Sequence, residues 1–152
     1  MRANSIMNKS KISVAGLLLM TALAFAVTPA SAAIVGPLAK TVAKGKDIFT
    51  HDTFGGSGLT CQSCHTAGGT GPTVIPGRQM QAASLANAAA VFPRYKPRDG
   101  KVMTLEDEIH GCIKGALGGK APGYDSAAMR ALVSYITSLS QGKPVDMGGV
   151  YR

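Results

Sequence analysis

The segment Cys61-Gln62-Ser63-Cys64-His65 places two cysteines and a histidine at the C-x-x-C-H spacing. In this motif the two sulfurs form thioether bonds with the vinyl groups of a haem, and the adjacent histidine binds the iron. A thioredoxin-like dithiol would need a βαβ pattern around the motif, and a zinc site would need a second pair of ligands. Neither is visible in a chain with three cysteines and three histidines. We therefore predict one covalent haem c, held by Cys61 and Cys64, with His65 as an iron ligand.

The first 32 residues have the composition of a secretion signal. Basic residues precede an apolar run over 12–27, and Pro29-Ala30-Ser31-Ala32 fits the A-x-A cleavage pattern. The run is short for a membrane-spanning helix. We therefore predict a signal peptide over 1–32, no membrane span after its removal, and a periplasmic location, which is where c-type haem is attached.

The remaining chain is expected to form one small domain over 33–142, followed by a tail over 143–152. The formal net charge is +8 at pH 7, and Arg2, Lys9 and Lys11 of the leader contribute to it. A modest positive charge can steer an acidic redox partner or small anions. Since no basic run is interleaved with aromatic residues, nucleic-acid binding is not expected.

The spacing of apolar residues predicts an all-α fold in which helices pack around the haem. Helices are expected over 39–50, 82–92 and 104–117, and a last amphipathic helix follows Asp125 or Ser126. The glycines and prolines of 68–77 favour an irregular segment along the haem edge. An N-terminal helix, a haem motif and a final amphipathic helix together resemble a small cytochrome c domain.

The second axial ligand of the iron decides the redox behaviour, and the chain offers few candidates. Met129 lies on the apolar stripe of the last helix, Met147 lies in the tail, and Met103 lies on a turn expected to be exposed. His51 is expected to be solvated, and His110 faces about 200° away from Cys112 on a helix. Cys112 is either a buried apolar side chain, a partner in an intermolecular disulfide or a thiolate ligand, and helix geometry alone leaves this open. The full set of candidates is Met80, Met103, Met129, Met147, His51, His110 and Cys112.

The segment from Phe92-Pro93-Arg94-Tyr95 through Thr104-Leu105-Glu106-Asp107 to Cys112 resembles the N-terminal haem domain of thiosulfate dehydrogenases and related sulfur-oxidising (Sox) haem subunits. The resemblance extends from the haem motif over nearly all of the remaining chain. It implies that Cys112 is the distal haem ligand and that Arg98 is a possible substrate contact. It also implies a sulfur oxyanion as substrate and a second cytochrome c as partner.

The chain departs from that family at positions that would bind an anion. The usual pattern after the cysteine is C-x-x-R-S-x-N-G, whereas Gly115 and Ala116 stand at the arginine and serine positions here. The arginine usual before the cysteine is replaced by Glu108. An anionic substrate needs fixed positive charge and hydrogen-bond donors near the iron. Catalysis by this chain alone is therefore left open.

Three functions follow from these observations. The first is electron transfer by a single-haem subunit, the second is catalysis of thiosulfate oxidation, and the third is binding of small gases such as NO or CO. A Cys112 thiolate would neutralise the charge of ferric haem and lower the potential, whereas a Met103 ligand would predict a higher potential. We favour electron transfer within a sulfur-compound-oxidising system.

Overall fold

The computed structural model describes residues 33–75, 77, 81–82 and 84–150. The predicted signal peptide and Met80 lie outside these residues. None of the described helices is both long and apolar enough to cross a membrane. The helices are α1 (Gly36–His51), α2 (Cys61–Cys64), α3 (Ala88–Val91), α4 (Leu105–Gly115) and α5 (Ala127–Leu139). The strands are β1 (Thr73–Val74), β2 (Gln81–Ala82), β3 (Arg94–Lys96) and β4 (Lys101–Met103).

The core is organised by the crossing of α1 and α5. Gly45 lies at the crossing because a Cβ there would overlap the carbonyl oxygen of Ala131 and approach the Cβ of Tyr135 to 2.8 Å. One turn further along α1, the Phe49 ring meets the Tyr135 ring edge-on at a centroid distance of 5.3 Å. Phe49 is 1% exposed. The two helices therefore pack backbone to backbone at one point and through aromatic rings at the next.

The last two helices begin where the sequence predicts. Ser126 caps α5 by accepting a hydrogen bond from the Met129 amide at 3.1 Å. Thr104 caps α4, and its Oγ1 accepts from the Asp107 amide at 3.2 Å while an Asp107 carboxylate oxygen accepts from the Thr104 amide at 2.9 Å. This reciprocal capping box satisfies two backbone donors that the first helical turn leaves unpaired.

The all-α prediction is wrong in part, because two antiparallel hairpins accompany the helices. β1 pairs with β2, and β3 pairs with β4 with Tyr95 opposite Val102. Strands of two or three residues are too short to show an alternating pattern in sequence. Residues 67–69 form a short 3₁₀ turn, so the segment expected to be irregular contains regular structure. The helix predicted over 82–92 is reduced to α3.

Residues of the expected tail are tied to α3 by hydrogen bonds. The Asp146 and Gly148 amides donate to the Ala90 and Val91 carbonyls at 2.8 and 3.0 Å. The Asn87 side chain donates to the Val150 carbonyl at 3.0 Å. The separate tail predicted over 143–152 is therefore anchored along part of its length.

Candidate functional site

One apolar cavity brings Cys61, His65 and Cys112 together. It lies among α1, α2, α4 and α5, and most of its wall is aliphatic or aromatic. Its other lining residues are Phe49, Thr73, Leu85, Ala88, Leu105, Glu108, Ile109, Ile113, Leu132 and Ile136. Two side chains of the haem motif therefore share one apolar space with Cys112, which lies far from them in sequence.

The two cysteines of the motif lie at the two ends of α2 and are free thiols. Thr60 and Ser63 form a capping box that fixes the start of this single helical turn. Cys61 is buried, and burial, followed by the charge of Cys112, raises the pKa of its thiol to about 12. Two thiols on one turn, neither in a disulfide, are available for thioether bonds.

His65 follows α2 directly and is oriented by Thr73. Its Nδ1 lies 3.0 Å from the Thr73 hydroxyl oxygen. When Nδ1 carries the proton and donates to Thr73, Nε2 keeps its lone pair, which is the atom a metal requires. Burial lowers the pKa of His65, so the neutral, ligating form is favoured. The sequence carries no signal for Thr73, because its hydroxyl reaches His65 only after the chain has turned through the 3₁₀ segment.

Cys112 lies on the face of α4 that lines the cavity, with Leu105, Ile109 and Ile113. Burial raises the pKa of its thiol, the charges of Cys64 and Glu108 add to this effect, and Lys96 opposes it. Ala116, which caps the end of α4, is exposed. Leu117 is buried in the core instead, at 1% exposure.

The alternative ligands that the structure describes do not line the cavity. Met103 is 7% exposed on β4, so the expectation of an exposed turn is wrong, and its side chain belongs to the apolar core. Met129 is buried in the core as predicted. His110 stacks on the Tyr124 ring with centroids 5.0 Å apart. His51 and Met147 are exposed.

The charged residue that lines the cavity is Glu108, and it is paired with Lys96. Lys96 Nζ donates to Glu108 Oε2 at 2.7 Å and lies 3.6 Å from an Asp99 carboxylate oxygen. Arg98 lies exposed in the turn between β3 and β4 and is not part of the lining. Sequence reasoning noted Glu108 only as a departure and missed Lys96, because the contact requires the β3–β4 hairpin to fold against α4.

This set of donors fits a covalently attached haem. Two neighbouring thiols would form the thioether bonds, and an imidazole and a third thiol in the same cavity would be available to bind the iron. The apolar wall suits a porphyrin plate, since it excludes water from the ring.

The family comparison assigns residues 44–145 to the SoxA/TsdA cytochrome c domain. The chain is 34% identical over 134 residues to a thiosulfate dehydrogenase of Allochromatium vinosum, covering 79% of this chain and 46% of the relative. It is 36% identical over 128 residues to the thiosulfate dehydrogenase of Thiomonas intermedia, and the alignment covers 80% of this chain and 38% of that relative. The L-cysteine S-thiosulfotransferase subunit SoxA of Paracoccus pantotrophus is 31% identical over 94 residues, covering 62% and 28%. The chain thus spans less than half the length of these relatives.

Solved structures show the same fold. The thiosulfate dehydrogenase TsdBA of Marichromatium purpuratum matches with a TM-score of 0.60 at 23% identity, covering 82% of this chain and 28% of that one. SoxXA of P. pantotrophus matches with a TM-score of 0.57 at 24% identity, covering 79% and 42%. The chain belongs to the SoxA/TsdA cytochrome c domain family and binds haem c covalently.

Proposed function

We propose that this chain is a single-haem electron-transfer cytochrome of a sulfur-compound-oxidising system. In this proposal Cys61 and Cys64 carry the haem, and His65 and Cys112 are its axial ligands. The observation that carries the proposal is that His65 and Cys112 line the same apolar cavity, whereas Met103 does not. Bound there, the haem supplies a one-electron redox centre.

The surrounding residues favour a low reduction potential. Thr73 holds His65 with Nε2 available, and a hydrogen bond from Nδ1–H increases the electron donation of the imidazole. The Cys112 thiolate brings a negative charge into a cavity of low polarity, which disfavours the addition of an electron. Both groups therefore stabilise the oxidised state.

The partner and the compartment are part of the same proposal. The chain acts in the periplasm after removal of residues 1–32, and it exchanges electrons with a second cytochrome c. The two structural neighbours, TsdBA and SoxXA, carry names that join two components. The small share of each relative that the chain spans also leaves room for a further haem domain in those proteins.

Electron transfer is favoured over thiosulfate oxidation because, among the described residues, the two family positions after Cys112 that would carry arginine and serine have no anion-binding side chain. Gly115 and Ala116 are exposed at the end of α4 and offer no side-chain donor. Glu108 presents a carboxylate to the cavity, which repels an oxyanion. A catalytic site for thiosulfate needs the opposite charge.

The axial ligands are tested by electron paramagnetic resonance of the oxidised holoprotein at low temperature. We expect a low-spin signal of thiolate type in the wild type and in Met103→Leu, and its loss in Cys112→Ala. A spectrum of methionine type that survives Cys112→Ala and is lost in Met103→Leu would contradict the proposal. Denaturing mass spectrometry of each variant confirms that haem is still attached through the motif.

Catalysis of thiosulfate oxidation is the second candidate, and the names of the relatives favour it. Adding thiosulfate to the oxidised holoprotein separates the two functions. We expect no thiosulfate-dependent reduction of the haem in the visible spectrum. Reduction that follows thiosulfate concentration would instead assign the chain a catalytic role.

A further inference from the structure

The Lys96–Glu108 ion pair lies at the edge of the cavity that holds Cys112. Among the described lining residues, Glu108 is the one carboxylate, and the lining includes no lysine or arginine. The side chains of Lys96 and Glu108 are each 34% exposed, so the pair lies between the cavity and solvent. A charge in this position is less screened than one on the open surface.

Helix geometry places this pair beside Cys112. Glu108 and Cys112 are one turn apart on α4, so their side chains lie on the same face. Lys96 reaches that face from β3 and meets Glu108 at 2.7 Å. Lys96 of the β3–β4 hairpin therefore supplies a positive charge close to Cys112. Its bond to Glu108 fixes the position of that charge.

Lys96 keeps donors free after bonding to Glu108. An ammonium group has three N–H donors. Glu108 accepts one of them, and the Asp99 oxygen at 3.6 Å lies beyond hydrogen-bond distance. Within the described chain, the ammonium can therefore still interact with negative charge that develops near Cys112.

We propose that Lys96 is the cation that offsets the negative charge of a Cys112 thiolate, and that Glu108 is the positioning residue that holds Lys96 at the cavity edge. This role rests on the proposed ligation of the haem by Cys112. Lys96 raises the reduction potential of the site, because a nearby positive charge favours the state with the extra electron. Glu108 acts in the opposite direction through its own charge.

The test is a spectroelectrochemical titration of the holoprotein with Lys96→Gln, Glu108→Gln and the double variant. At a fixed ambient potential, Lys96→Gln is expected to lower the ratio of reduced to oxidised protein about three- to tenfold. Glu108→Gln is expected to raise it, because the negative charge of Glu108 is lost. In the double variant, the further change caused by Lys96→Gln is expected to be smaller than in the wild type, because Lys96 is no longer held at the cavity edge. Lys96→Arg keeps the charge, and its ratio is expected to stay close to the wild type.

Lys44→Gln is the matched control, since Lys44 pairs with Asp47 at 3.0 Å on the exposed side of α1 and does not line the cavity. Single variants that shift the ratio in the same direction, or no further than Lys44→Gln, would overturn the role of the pair. That failure is distinguishable from failure of the proposed ligation, which the Cys112→Ala resonance spectrum decides separately. If the Lys96–Glu108 pair only stabilised the fold, the two single variants would change the midpoint of unfolding. They would not shift the ratio of reduced to oxidised protein in opposite directions.

Discussion

The crossing of α1 with α5 and the outer face of α4 differ in what surrounds their glycines. A Cβ on Gly45 would overlap the Ala131 backbone, so this position leaves no room for variation. Around Gly111 and Gly115 of α4, no described atom outside the neighbouring helix backbone lies within 4 Å of an added Cβ. The first region holds the fold together, whereas the second can change its side chains without disturbing the core. We infer that the side chains on the outer face of α4 can change while the packing of α1 against α5 stays the same.

The largest expected effect is that of Gly45→Ala. The two helices would have to move apart to accommodate the methyl group, and overpacking of this kind lowers the free energy of unfolding by about 1–3 kcal/mol. Urea unfolding of the holoprotein measures the change. Gly111→Ala is the control, because alanine at an open helical position is expected to be stabilising by up to about 1 kcal/mol. Equal effects at the two glycines would remove the distinction between the regions.

A smaller effect is expected for Tyr135→Phe in the same crossing. The Tyr135 hydroxyl donates to the Gly68 carbonyl at 2.7 Å and links α5 to the segment that follows the haem motif. Loss of one such bond lowers the free energy of unfolding by about 1 kcal/mol. The Phe49 contact keeps its ring partner, so the helix crossing itself is retained. Thermal unfolding measures the loss, and Tyr95→Phe is the control, since Tyr95 is exposed on β3.

The capping box of α4 makes a contribution to the free energy of unfolding that depends on pH. The Thr104 amide, followed by the Tyr124 hydroxyl, holds the pKa of Asp107 below its ordinary value of 3.8. A lowered pKa in the folded state means that the contribution is fully present above the unfolded value and is lost as pH falls through the folded value. Asp107→Asn is therefore expected to reduce stability at pH 7 and to converge on the wild type in acid. Denaturant midpoints between pH 7 and pH 2 check this, and a constant difference would contradict it.

The smallest effect on stability is expected for Gly115→Arg with Ala116→Ser at the end of α4. Both positions are exposed, so the free energy of unfolding is expected to change by less than about 0.5 kcal/mol. The added guanidinium and hydroxyl supply donors for an oxyanion. We therefore expect thiosulfate to perturb the visible spectrum of the variant more than that of the wild type. No difference between the two proteins would show that missing donors are not what limits anion binding.

Local signals in the sequence predicted the starts of α4 and α5 well and the strands poorly. The starts of α4 and α5 follow from Thr104 and Ser126, whose side chains cap the helix from adjacent residues. The β3–β4 hairpin has three residues in each strand, which is too short for a period to appear. The position of Met103 just before a helix start predicts an exposed turn, whereas pairing of β4 with β3 places it in the core.

The sequence by itself determined the haem motif, the main helices and the burial of Met129, because each depends on residues close together in the chain. Only the tertiary structure decided that Cys112 shares a cavity with His65 and that Lys96, rather than Arg98, pairs at its edge. The tertiary structure also decided that Thr73 lies beside His65 and that residues 146–150 lie along α3. These contacts join segments whose loops must first bring them together, and no short-range pattern specifies the path of a loop.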